Sequence, residues 1–103
     1  MKRGEIRWYE FKAPDKKRPV LILTRDSIIE YLGEVTIAPL TSTIRDIPSE
    51  VFLSRDDGMI KDCAINFDHI QTVSKNKIGA LLTRLSHDKM SEVRKAIQFV
   101  TNL

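Results

Sequence analysis

From Glu5 to Phe11 the chain alternates loosely, with Ile6, Trp8, Tyr9 and Phe11 apolar and Arg7 and Glu10 between them. That rhythm predicts a strand near the N-terminus. Residues 12–17 form a short polar connection containing Pro14. Val20 to Thr24 is apolar enough for a central strand. Asp26 or Ser27 is suited to cap a short helix running to Leu32 and ended by Gly33. Residues 34–40 predict a third strand, residues 41–48 a polar loop, and residues 50–53 a fourth strand. Asp56-Asp57-Gly58 is a turn signal. Residues 62–67 predict a fifth strand, residues 69–73 a sixth after a bend, and residues 76–82 one helical turn and an edge strand.

The last segment changes period. Met90, Val93, Ile97 and Val100 form one helical stripe, with Lys89, Glu92, Arg94 and Lys95 on the opposite face. Ser86 is a good N-cap, and Asp88 suits the dipole of the first turn. Five or six short strands and a terminal helix predict a mainly β fold with helices. The form expected is a small, partly open β-barrel, with a short helix after the second strand and a C-terminal helix.

The length of 103 residues leaves room for one domain, spanning 1–103. No apolar run approaches the roughly 20 residues that a membrane helix needs, and Met1 to Glu5 lacks the apolar core of a signal peptide. Cys63 is alone, which excludes an internal disulfide and a cysteine-based zinc site. These features point to a cytoplasmic protein. A net charge of +3 permits a nucleic-acid partner without demanding one.

The chain is organised around residues 17–24, where a basic pair runs into Pro19 and then into buried strand. An arginine there has its backbone fixed by the barrel while its head still reaches solvent or a phosphate. Taken alone, Arg18 is as well read as a solvated charge in a basic run.

Three fragments, in order and at matching spacing, resemble the MazF/PemK/Kid family of toxin endoribonucleases. They are Arg3-Gly4-Glu5-Ile6 followed by Trp8, then Arg18-Pro19-Val20-Leu21-Ile22-Leu23, then residues 35–43 with Glu50-Val51 at the next strand. A weaker fourth is residues 68–73. The resemblance implies an SH3-like β-barrel with added helices, a homodimer that cuts single-stranded RNA without metal or cofactor and is silenced by a cognate antitoxin protein, with no membrane involved. It also implies that Arg18 and Thr41 carry the reaction. The chain departs from some members in two places. Its first loop is short, with Asp15 the sole acid, and Asn66 stands where some members have an arginine.

RNA brings its own nucleophile, the 2′-OH. The protein must align the backbone, move protons and stabilise charge on the phosphorane. A guanidinium fork matches two phosphate oxygens, which is the role expected of Arg18. The hydroxyl of Thr41 suits donation to another oxygen, and the products are then a 2′,3′-cyclic phosphate and a 5′-OH. Asp68, Glu5 and His69 are the groups available as base or acid. Ser42, Thr43, Arg45, Asn66 and Gln71 are the RNA-binding candidates, because single-stranded RNA exposes its base edges. Plain structural readings stand beside these. Thr41 to Thr43 also suit a turn, Asp68 and His69 equally suit a local brace, and Trp8 and Phe67 are more naturally core. A non-catalytic SH3-like module binding RNA or a peptide is the alternative function, and the same fold acting on another nucleic acid is a third.

Overall fold

A computed structural model describes residues 1–12 and 17–103. The first-loop acid, Asp15, lies outside the described residues. Seven strands and two α-helices follow one another as β1 (Glu5–Glu10), β2 (Lys17–Ile22), α1 (Asp26–Ile29), β3 (Glu34–Thr41), β4 (Glu50–Leu53), β5 (Cys63–Asn66), β6 (Gln71–Ser74), β7 (Ile78–Arg84) and α2 (His87–Thr101). Single 3₁₀ turns occupy Arg55–Asp57, Phe67–His69 and Lys75–Lys77. All pairings are antiparallel, in the order β4-β5-β3-β2-β1-β7, with β6 also paired to β3. The sheet bends on itself without closing, so the expected mainly β, partly open barrel is what the chain forms.

β3 is the longest strand and serves both halves of the sheet. Glu34 to Ile37 pair with β6, and Leu40 and Thr41 pair with β5. The alternation read from the sequence sorts side chains onto two faces. Ile6, Leu21, Ala38, Leu40, Val51, Leu53, Ile65 and Phe67 form one buried cluster. Tyr9, Val20, Ile22, Val35, Ile37 and Val73 form a second on the other face.

α2 closes the first cluster. Val93 and Ala96 are buried, with Met90, Ile97 and Val100 packed beside them. Ser86 caps the helix as expected, its hydroxyl accepting from Lys89 N at 3.1 Å. Lys89 does not lie on the outer face. Its Nζ reaches across to donate to Phe52 O at 2.9 Å and sits 3.3 Å from Glu92.

α1 is shorter than its sequence suggests. The N-cap is Arg25, whose side chain makes no capping bond. The carboxylate of Asp26 instead accepts from Arg3 N at 2.7 Å. Asp26 therefore ties down the N-terminal segment rather than extending a helix.

Gly58 ends the 3₁₀ turn at φ +94°, the left-handed region that favours glycine. A Cβ there would come within 2.8 Å of Thr83 Cβ. Thr83 is β-branched and holds Asp57 O through its hydroxyl, so it has little room to give. Gly58→Ala is expected to lower stability by about 1–3 kcal/mol, read as a lower midpoint in urea at unchanged slope.

Candidate active site

The β2–β3 ladder runs through Ile22–Ile37, Leu21–Ala38 and Val20–Pro39, and stops. Continued in the same register, it would set Pro19 against Leu40 and then Arg18 against Thr41. Pro19, whose backbone would supply the next N–H from β2 to β3, has none to give. Beyond that point β3 keeps its partner β5 on its other edge, while β2 keeps β1, with Trp8 against Pro19 and Tyr9 against Arg18. The two strands part, and a groove opens between them.

This groove has a volume of about 390 Å³. Lys17, Arg18 and Pro19 line one lip and Leu40, Thr41, Ser42 and Thr43 the other, with Lys61 also on its wall. Arg18, Lys17 and Lys61 are exposed. Three cations therefore surround one opening, and its floor includes Met59, Cys63 and the edge of Trp8. Cys63 is buried, and burial, reinforced by Asp62 and Asp57, pushes its thiol above the ordinary range.

Thr41 Oγ1 accepts a hydrogen bond from Thr43 N at 3.1 Å. A hydroxyl that accepts from the backbone keeps its own hydrogen to donate. The same contact folds residues 41–43 into a tight turn at the strand end and brings Ser42 and Thr43 to the groove.

Residues 2–101 match the family model described as PemK-like, MazF-like toxin of type II toxin-antitoxin system. The chain belongs to this family. A probable endoribonuclease MazF2 of Mycobacterium tuberculosis is 35% identical over 102 residues, which cover 98% of each chain. The solved structure of the Mycobacterium tuberculosis toxin MazF-mt6 superposes with a TM-score of 0.88 at 30% identity, covering 96% of this chain and 97% of that one. A mycobacterial endoribonuclease in complex with its cognate antitoxin superposes at 0.89 with 23% identity, covering 100% of this chain and 96% of that one, a likeness of fold. The chain is thus an RNA-cleaving enzyme of the MazF/PemK class.

The MazF/PemK fold brings only part of the expected set together. Arg18, Thr41, Ser42 and Thr43 share the groove. Asp68, His69 and Gln71 are exposed on and beside the 3₁₀ turn between β5 and β6, away from the groove lining. Asp68 Oδ2 accepts from Ser49 Oγ at 2.7 Å. Asn66 is buried, and its Oδ1 accepts from Asp68 N at 3.0 Å as the N-cap of that turn. An Asn two residues before an Asp, at a strand end, is a capping signature that was visible in the sequence. Gln71 Nε2 donates to His69 O at 3.3 Å. Arg45 lies in the loop after Thr43, and its backbone N donates to Glu50 Oε1 at 2.9 Å.

Lys61 was not legible as a groove residue, because it arrives from the turn between β4 and β5, far from Arg18 in the chain. Trp8 is half-buried and borders the groove, so it is not a pure core residue. Among the described residues, no group of three or more His, Cys, Asp or Glu side chains is placed to hold a metal ion.

Glu5 sits apart, at the start of β1, and is 2% exposed. Its carboxylate accepts from Arg7 Nε at 2.8 Å, from Lys2 N at 3.0 Å and from Arg84 Nε at 3.3 Å. Burial pushes this carboxyl up, but the Arg7 hydrogen bond and charge and the Lys2 N–H outweigh it and hold it below its ordinary value. A carboxyl lowered in the folded state adds stability above its unfolded pKa, and that stability is lost as pH falls through the folded one. Glu5→Gln is therefore expected to destabilise at pH 7 by about 1–3 kcal/mol. The gap from the wild type should close below about pH 4. Urea melts at pH 7 and pH 3 check both statements.

Proposed function

We propose that this chain cleaves single-stranded RNA in the groove between Arg18 and Thr41, by attack of the substrate's own 2′-OH on the adjacent phosphorus. The observation that carries this reading is that Arg18 and Thr41 line one open, cationic groove. Arg18 neutralises two phosphate oxygens as the pentacoordinate charge develops. Thr41 Oγ1 donates its hydrogen to a non-bridging oxygen. Lys17 and Lys61 hold the flanking phosphates. The 2′-oxygen bonds to phosphorus as the bond to the 5′-oxygen breaks, which leaves a 2′,3′-cyclic phosphate and, after protonation, a 5′-OH. The substrate supplies the nucleophile and Arg18 the charge, so the step needs no metal.

No carboxylate or imidazole among the described residues lines the groove. The proposal accordingly gives the 2′-OH proton to water. Ser42, Thr43 and the edge of Trp8 face the bases on either side, and base selection falls to them, with Arg45 on the outer loop contacting backbone. Two further properties belong to the proposal by way of the family: assembly as a homodimer, and silencing by a cognate antitoxin. The mycobacterial relative bound to its antitoxin supports the second.

Incubation of the purified protein with a long RNA in EDTA, followed by end mapping, tests the reading. New 5′-OH and 2′,3′-cyclic phosphate ends at a short recurring motif are expected. Intact RNA would favour a binding module instead. Arg18→Ala is expected to lower kcat by about 10²–10³-fold with an unchanged far-ultraviolet spectrum, since its side chain is exposed. Near-wild-type cleavage in that variant would remove the mechanism.

Lys61→Ala is expected to weaken binding of a 2′-deoxy-substituted oligonucleotide and to reduce the slope of log K against log salt by about 0.7. The rate should climb between pH 6 and 9 without an inflection near about 6.5. An inflection there would return the base role to an imidazole.

A further inference from the structure

We infer that Glu50 is a positioning residue for the Thr41–Thr43 lip of the groove, acting through the backbone of Arg45. This rests on the nuclease reading above and extends it to a residue outside the groove.

Glu50 opens β4 opposite Asn66, and its side chain is 3% exposed. One carboxylate oxygen, Oε1, accepts from Arg45 N at 2.9 Å. The other, Oε2, is buried without a hydrogen bond. The guanidinium of Arg45, half exposed, approaches Oε2 only to 3.9 Å, which is too long for a hydrogen bond. A buried carboxylate so thinly satisfied is costly to keep. What it holds is the middle of the loop that begins at Thr41.

That loop is short and pinned at each end. At the groove end, Thr43 N donates to Thr41 Oγ1. At the other end, Glu50 N donates to Ile47 O at 2.9 Å and Phe67 N to Ser49 O at 3.0 Å, while Ser49 Oγ donates to Asp68. Between the two ends, Asp46 holds φ at +55°, a backbone state unusual for a non-glycine residue. The Glu50–Arg45 contact is the bond that spans this turn and prevents the loop from opening. Its release would let Ser42 and Thr43 drift, and with them the turn that orients the Thr41 hydroxyl. A misplacement of about 1 Å is enough to cost about 10²-fold in rate.

Two variants separate reach from charge. Glu50→Asp keeps the charge but withdraws the carboxylate by one methylene from Arg45 N. Glu50→Gln keeps an oxygen at the same reach and removes the charge. Both are measured by steady-state cleavage of one RNA oligonucleotide, alongside thermal melts, alone and combined with Thr41→Ala. Glu50→Asp is expected to lower kcat about 10- to 100-fold while KM changes less than about threefold, and Glu50→Gln to retain most of the wild-type kcat. Combined with Thr41→Ala, Glu50→Asp should add little further loss, because both act at one lip.

A folded Glu50→Asp that keeps pace with the wild type overturns the inference. So do losses that multiply fully with Thr41→Ala, and so does a rate order that merely follows the melting temperatures. A wild type that cleaves no RNA is a different result. It overturns the nuclease reading itself, and this inference with it.

Discussion

The end of one hydrogen-bond ladder shapes this molecule's working face. β2 and β3 pair cleanly up to Val20–Pro39 and then part. Pro19 deprives β2 of its next donor toward β3. The residues that would have been the next partners become opposing lips of a groove. Rigid, buried strand lies directly behind each lip, with Val20, Leu21 and Ile22 on one side and Ile37 and Ala38 on the other, all fully buried. The backbones of Arg18 and Thr41 are thereby set on the two lips of one groove by sheet geometry.

The electrostatics follow from the same opening. Lys17, Arg18 and Lys61 surround the groove, and no carboxylate among the described residues lines it. The acids nearest in function are committed elsewhere. Glu5 is held by Arg7 and Arg84, Asp68 by Ser49, and Glu50 by the backbone of Arg45. The site thus favours a polyanion and stabilises added negative charge.

Much of the fold was legible in the sequence. Loose alternation marked β1, a continuous apolar run marked β2 because its two faces meet the two buried clusters, and β4 falls at its expected bounds. The helical stripe from Met90 to Val100 marked α2 because one face closes the larger cluster. α1 was overread because Asp26 and Ser27 look like caps, whereas the Asp26 carboxylate is spent on Arg3 N. That Arg18 and Thr41 come to one groove was legible through a motif whose spacing is local to two neighbouring strands. Asn66 carried two readings, since a polar residue at a strand end suits base reading and turn capping alike, and its oxygen accepts from the backbone of Asp68. Lys61 and Glu50 were not legible in their roles. Each acquires its role from a contact set by tertiary register or by a loop closing on itself, and no side-chain pattern announces either.

The account's central claim concerns where the scissile phosphate sits. The direct measurement is a crystal structure of the protein with an RNA oligonucleotide carrying a 2′-deoxy residue at the cleaved linkage. The account predicts that phosphate lodged between the strands, within hydrogen-bond distance of both the Arg18 guanidinium and Thr41 Oγ1. A phosphate bound instead along the 3₁₀ turn beside Asp68, His69 and Gln71, with the groove between β2 and β3 left empty, would contradict it.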